Sequence, residues 1–532
     1  MNVNEIAFSG NIGVFEPNDS SWHKLLRMTV SENGVFAEVD TSKSMDVTTF
    51  ERYLLPGFID AHCHLLETPY YSESSSEISS VHSEDLMKRA LQNTLCARNS
   101  GITALRDLGG RAFESLNVLN KLTSDLPRVV TSGCYFTWER GHAYDRGAIT
   151  IRNISEFKTH IARLHACKIK FVKILHGDNG FATPLLKEMV SVAHDKGMKV
   201  SCHAYTNTAA TEAVVAGADI LEHVGDYDEA LLTVIKKNGI IVVPTFAAAY
   251  DSTNENCADI TDFNSQILQT WLTGEKTVIP KIIEKGIPFA LGSDAGFYCF
   301  PMDYLHREIE LLHSVFKIPM EHLTYVAFIT TPQCLGMENK LGQIAPDFYA
   351  DFLVYEENPL KNFAVLRSPT QVWIGGKKVV DIDVNALQAR RLSESDIDNV
   401  LKYLSHSYFN CGNLDDRWTF DDLVNWFENE SDYCIGVFFD KELIGFCLSH
   451  IHIEAHKVHL ENVFVKEEYR HRGIARRMLK KTISHYSARS GKIRFVGLVD
   501  ASNVQSQHLL NRCGFTKGAA MLWLQKNVIK ND

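Results

Sequence analysis

The sequence predicts an α/β chain of two architectures: a (β/α)8 barrel flanked by a small β-sandwich made from both of its ends, then a C-terminal α+β domain. Three observations carry this. Eight short apolar segments alternate with helix-length stretches between residues 54 and 294, and β-rich, short-looped sequence brackets them on either side. The texture breaks again near residue 388, where "ALQARRLSESDIDNV" opens a separate unit running to residue 532.

The elements follow in order. Residues 1–53 read as short strands, with the Asn-Gly turn of "LLRMTVSENGVFAEVD" joining two of them as a hairpin. The barrel, 54–339, takes its strands from "LLPGFIDAH" (54–62), "ITALRDL" (102–108), "RVVTSG" (128–133), "KFVKIL" (170–175), "KVSCHA" (199–204), "ADILEH" (218–223), "IIVVPTF" (240–246) and "PFALGSD" (288–294). Residues 340–385, with a turn at Gly375 and Gly376, read as the partner of the N-terminal strands, and 388–532 as the last domain. The polar stretch 70–80 and the long segment 247–264 are candidate mobile loop and lid over the barrel's active face.

Composition narrows the function classes. At 532 residues the chain exceeds a single core, and 45% apolar with 22% charged residues is globular. No apolar run spans a bilayer, and the net charge of -11 argues against nonspecific nucleic-acid binding. The N-terminus has no basic region followed by an apolar one, and twelve cysteines lie scattered without a C-x-x-C pair. A cytosolic location is expected, with small molecules as partners and homo-oligomerisation left open.

The chemistry begins at "PGFIDAHCHLLE". Alternation along a strand turns His62 and His64 to one side and Cys63 to the other. Barrels place their chemistry at the C-terminal ends of strands. There the sequence sets His62 and His64 on strand 1, Lys173 on strand 4, His203 on strand 5, His223 on strand 6 and Asp294 on strand 8. Each alone is a loop residue; together, four imidazoles and a carboxylate are a ligand set suited to Zn2+. Lys173 fits only if it snorkels outward or has become a carbamate that bridges two ions.

With "GITALRDLGG", "VKIL", "VSCHAYT", "AGADILEHVG", "FALGSDAG" and "LGQIAPDFYADFLVYEENP", this set resembles the amidohydrolase superfamily, in the branch of prolidase-like and Xaa-Arg-type dipeptidases with imidazolonepropionase more distant. The resemblance covers the first residues to about 381; "APDFYADFLV" departs from the usual Gly-Lys before Ala-Asp, away from the site. It implies that His62, His64 and Asp294 hold one divalent ion and His203 and His223 another, bridged by carboxylated Lys173. Asp294 then serves as the proton shuttle of amide or lactam hydrolysis. In "CYFTWERGHAYDRG", Gly141-His142 matches a Gly-His of the related dipeptidases, so His142 is a candidate hydrogen-bonder of the carbonyl or of a substrate carboxylate, and Arg140 a weaker anchor. A mononuclear deaminase or cyclic-imidazolone hydrolase, with Lys173 unmodified, is the alternative.

In the last domain, seven Lys or Arg fall between 466 and 481. A strand, "ENVFV", leads into Arg470-His471-Arg472-Gly473-Ile474-Ala475 and a helix, a turn that offers backbone N–H groups and a positive dipole end to a pyrophosphate. With "DASNVQSQHLLNRCGF", where Asn503 precedes Gly514-Phe515, this resembles the GNAT acyltransferases over about 391–527. The resemblance implies acetyl-CoA as cofactor. Backbone groups of Val463 and Val465 would meet its pantetheine arm, those of Arg470 to Ala475 its phosphates, and an amine would be the acceptor. Leu510 stands where the family has a tyrosine proton donor, and Glu461 is a candidate base acting through water. The expected protein is thus bifunctional, or a hydrolase regulated by an acyl-CoA-sensing module.

Overall fold

The computed structural model describes residues 3–43, 50–67, 81–111, 113–119, 121–177, 179–252, 265–297, 300–382, 386–404, 419–466, 469–470, 472–489, 493–497, 499 and 504–516. The chain divides into two compact units, Met1–Ala386 and Leu387–Asp532.

In the first unit, parallel pairing links Phe58–Cys63 to Ile102–Asp107 and then to Arg128–Thr131. The third strand bends there and resumes as Tyr135–Thr137, which pairs with Phe171–Leu175. Lys199–His203, Ile220–Glu222 and Ile241–Val243 continue the ring in parallel. The segment expected as strand 8 is not a regular strand, yet it closes the barrel. Val242 donates to Pro288 and Ala290 donates to Val242 on one side; Ala61 donates to Leu291 and Asp294 to the carbonyl of His62 on the other. The left-handed backbone of Asp294, φ 56°, interrupts the extended run and turns its side chain toward the rim.

Helices follow most strands, and their ends are written in side chains. Asn153, Thr206 and Asp228 each accept from the backbone N–H three residues on, capping Ile154–Ala166, Asn207–Ala216 and Glu229–Asn238. Each such cap contributes about 1 kcal/mol.

The expected first strand, 54–62, is in fact two. Arg52–Pro56 belongs to the flanking sheet, where it pairs antiparallel with Phe352–Tyr355, and Phe58–Cys63 belongs to the barrel. The chain passes between layers at Gly57, where a Cβ would lie 1.9 Å from Oγ1 of Thr103; only glycine lets the strands approach so closely. The flanking sheet has eight strands drawn from both ends of this unit, including the hairpin of Ser21–Ser31 with Phe36–Lys43 and that of Gln371–Ile374 with Lys377–Asp381. It folds over on itself, so that Ile12, Val14, Met28 and Phe36 share a core with Leu54, Phe352 and Val354. Phe36 and Phe352 meet at 5.9 Å.

Among the described residues, the second unit has a five-stranded sheet ordered Gln388–Arg391, Ile435–Phe439, Glu442–His452, Lys457–Val465 and Arg494–Gly497. The pairs are antiparallel except the last. Ile397–Leu404 and Phe420–Glu428 contribute to the core on one face of the sheet, and Ile474–Arg489 to the core on the other. No described helix of either unit is long and apolar enough to cross a membrane.

Candidate metal centre and cofactor loop

His62 and His64 lie at the end of the first barrel strand, both buried. Each ring is held from behind. Nδ1 of His62 lies 2.8 Å from Oε2 of Glu222, and Nδ1 of His64 lies 2.8 Å from the carbonyl of Gly109. A neutral imidazole that donates from Nδ1 has only a lone pair on Nε2. Both Nε2 atoms face the same carboxylate oxygen, Oδ1 of Asp294, at 3.2 and 3.3 Å. The ligand atoms of all three residues lie within 4.8 Å of one another, and with both rings donating from Nδ1 they present three acceptors to one point. Leaving buried acceptors unsatisfied costs about 1–3 kcal/mol each. A cation at that point removes the conflict, so the residues fit a divalent metal.

Around this triad stand further buried imidazoles, His203 and His223. His223 lies 4.9 Å from His62 and 4.5 Å from His203, ring to ring, with its Nδ1 held 2.7 Å from the hydroxyl of Thr245. Burial drives the pKa of both His203 and His223 well below the usual histidine range, and neighbouring imidazoles add to it. Nε2 of His203 has no hydrogen-bond partner, and neither does Nζ of Lys173. Lys173 is 1% exposed: it does not snorkel outward. Burial pushes its pKa down to about 8, with the Glu222 and Asp294 carboxylates opposing that fall. His142 stacks on His203 at 4.2 Å and 17°, and burial, helped by Lys173, lowers it to about 4. Arg140, by contrast, is exposed.

Several residues of this site were not anticipated from sequence. Glu222 accepts from Arg106 at 2.6 Å and from Ser201 while holding His62, which makes it the buried hub of the centre. Strand alternation would set Glu222 and His223 on opposite faces; the left-handed backbone of His223, φ 69°, brings both inward. Rings of Tyr205, Trp271 and Phe297 stand 5.5, 5.4 and 4.3 Å from His203, His223 and His64 and make an aromatic wall.

In the second unit, Leu448 pairs with Asn462 but Ser449 pairs with Leu460, so Glu461 is the extra residue of a β-bulge. Pairing with Arg494–Gly497 ends at Leu460, and among the described residues no strand faces that edge of 461–465. Nε of Arg470 donates to the Val465 carbonyl at 2.9 Å and ties the following loop to the strand. Gly473, at φ 71°, turns the chain into the helix Ile474–Arg489; this is a left-handed conformation that glycine adopts without cost. Arg472 and Ile474 are buried, Ala475 is half-buried, and His471 and Asn503 lie outside the described residues. Gly473, Arg476, Arg477, Lys480 and Lys481 line a cavity of about 580 Å³ together with Tyr433 and Ser484. Its four cationic side chains give it a positive charge complementary to an anion. Leu510, in the helix Val504–Arg512, packs into the apolar core beside Ile474-side residues and offers no proton.

Comparison with known proteins finds a family for each region. Residues 53–379 match the amidohydrolase family, and residues 397–515 the acetyltransferase (GNAT) family. The chain is 26% identical over 366 residues to the ochratoxinase of Aspergillus niger, covering 61% of this chain and 75% of that protein. It is 21% identical over 370 residues to an imidazolonepropionase of Acinetobacter baumannii, covering 62% of this chain and 84% of that one. Among solved structures, a Xaa-Pro dipeptidase with bound methionine superposes with a TM-score of 0.59 at 21% identity, over 69% of this chain and 99% of its own. The chain belongs to the amidohydrolase family and carries a C-terminal GNAT acetyltransferase domain.

Proposed function

We propose that the barrel hydrolyses an amide bond of a small molecule at two divalent ions, with Zn2+ the expected species. His62, His64 and Asp294 would hold one ion and His203 and His223 the other, bridged by Lys173 as its carbamate. The convergence of two Nε2 lone pairs on Oδ1 of Asp294 carries this reading. Divalent ions at that place, when bound, would supply an acidic water and polarise a carbonyl. Asp294 then takes the proton of the attacking water and delivers it to the leaving nitrogen. Neutral His142 hydrogen-bonds the carbonyl or a substrate carboxylate. The wall of Tyr205, Trp271 and Phe297 suits a substrate with an apolar or aromatic group beside the amide. Dipeptides and N-acyl amino acids meet that description, and the relatives named ochratoxinase and Xaa-Pro dipeptidase favour the same class. A screen of such amides, with turnover lost on chelation and restored by metal, tests the reading; metal-independent turnover would refute it.

We further propose that the C-terminal domain binds acetyl-CoA, with the open edge at Val463 and Val465 for the pantetheine arm and the loop Arg470 to Ala475 for the phosphates. Transfer to an amine, the hydrolysis product being the natural acceptor to try, would use Glu461 as base through water. Leu510 leaves the departing thiolate without the usual donor. Free-thiol release with that amine distinguishes a transferase from an acyl-CoA sensor: release supports the first, and binding without release supports the second.

A further inference from the structure

The C-terminal domain holds a second set of imidazoles that neither activity uses. His450 and His459 lie directly opposite each other on the paired strands Glu442–His452 and Lys457–Val465. Cross-strand partners point to the same face, and so does His452, two residues along from His450. The rings follow one another at 4.7 Å, His450 to His452, and 5.0 Å, His452 to His459. Those spacings match the 4.9 and 4.5 Å that separate His62, His223 and His203 in the barrel.

The His450 ring is also oriented from behind. Nδ1 of His450 lies 2.9 Å from Oδ2 of Asp432. Asp432 is itself buried and fixed, accepting from the N–H of Ile451 at 2.8 Å and from Nδ2 of Asn429 at 3.0 Å. Nδ1 of His459 lies 3.8 Å from Oε1 of Glu461, within ion-pair range but beyond a hydrogen bond. A carboxylate on Nδ1 fixes the tautomer and leaves the Nε2 lone pair to a ligand, the pattern found behind metal-binding histidines. Nε2 of His459 is buried and has no hydrogen-bond partner. His452 is exposed, so rotation about its side-chain bonds can bring it onto an ion held by the other two.

We propose that His450, His452 and His459 form a three-imidazole site for a d-block divalent cation such as Zn2+ or Ni2+, separate from the barrel centre. Neutral nitrogen ligands favour such ions over Mg2+ or Ca2+, and three protein ligands leave coordination positions open to water or an added ligand.

The test uses the untagged full-length chain, dialysed against micromolar Zn2+ and analysed for bound metal beside the variants His452→Ala and His450→Ala/His459→Ala. Wild type is expected to retain one equivalent more than either variant, with amide hydrolysis the same in all three. Visible absorption of Co2+-loaded protein should lose a corresponding nitrogen-ligand band. His452 is exposed, so its replacement leaves folding intact and keeps the result readable if the double variant is unstable. Equal metal content in wild type and His452→Ala would overturn the proposal. So would a loss of acetyl transfer in the variants at unchanged metal content, which would make the cluster part of the acceptor site.

Discussion

The barrel centre and the C-terminal cofactor loop solve recognition in opposite ways. In the barrel, side chains would be the recognising groups, and a further partner aims each of three: Glu222 behind His62, the Gly109 carbonyl behind His64, Thr245 behind His223. In the proposed cofactor loop, backbone would be the recognising group, shaped by a bulge at Glu461 and a left-handed turn at Gly473. The difference predicts which substitutions matter. Isosteric swaps that leave the backbone alone should cripple the first site; changes that alter φ should cripple the second.

The largest effect is expected at Asp294. Replacing it by Asn keeps an oxygen in place but removes the proton acceptor, and turnover on a confirmed amide should fall by about 10³-fold. Steady-state kinetics with parallel metal analysis measures this, and near-normal turnover would remove Asp294 from the mechanism. Next comes Gly473→Val. Open space surrounds the position, so the penalty is conformational: about 1–3 kcal/mol of backbone strain, or roughly tenfold or more in acetyl-CoA affinity. Calorimetry should register that loss while amide hydrolysis is unchanged.

Glu222→Gln sharpens the contrast from within the barrel. Truncation to Ala would strand the buried Arg106 guanidinium at a cost of about 3–5 kcal/mol, whereas Gln preserves shape. The expected result is a metal affinity about 10–100-fold lower, read by competition with a chelator. The smallest effect concerns salt. The cavity lined by Arg476, Arg477, Lys480 and Lys481 is open to screening, so acetyl-CoA binding should weaken by a few fold between about 50 and 200 mM salt, with hydrolysis of a neutral amide indifferent.

Much of this was legible in the sequence. Alternation announced the His62 and His64 pair, and strand ends gathered the other ligands because barrel topology brings those ends to one rim. The turn at Gly473 was readable as a glycine opening a helix, and it stands there at positive φ before Ile474–Arg489. What stayed hidden depended on backbone departures or distant contacts. Glu222 was invisible beside His223 because the positive φ at His223 breaks the alternation that assigns faces. The eighth strand was read as regular, though the turn at Asp294 reduces it to isolated bridges. Trp271 comes from the helix Ser265–Glu284, far in sequence from the His223 it covers. The face shared by His450, His452 and His459 needed the register of two strands and the bulge that shifts it.

The central claim is that the barrel ligands converge on divalent ions that the reaction requires. Metal analysis of the full-length chain carrying His450→Ala, His452→Ala and His459→Ala isolates the barrel contribution, and pairing it with amide turnover tests that claim most directly. The account predicts two ions per chain, with turnover abolished by chelation and regained on reloading. A chain that hydrolyses the same amide at full rate with no bound ion would contradict it.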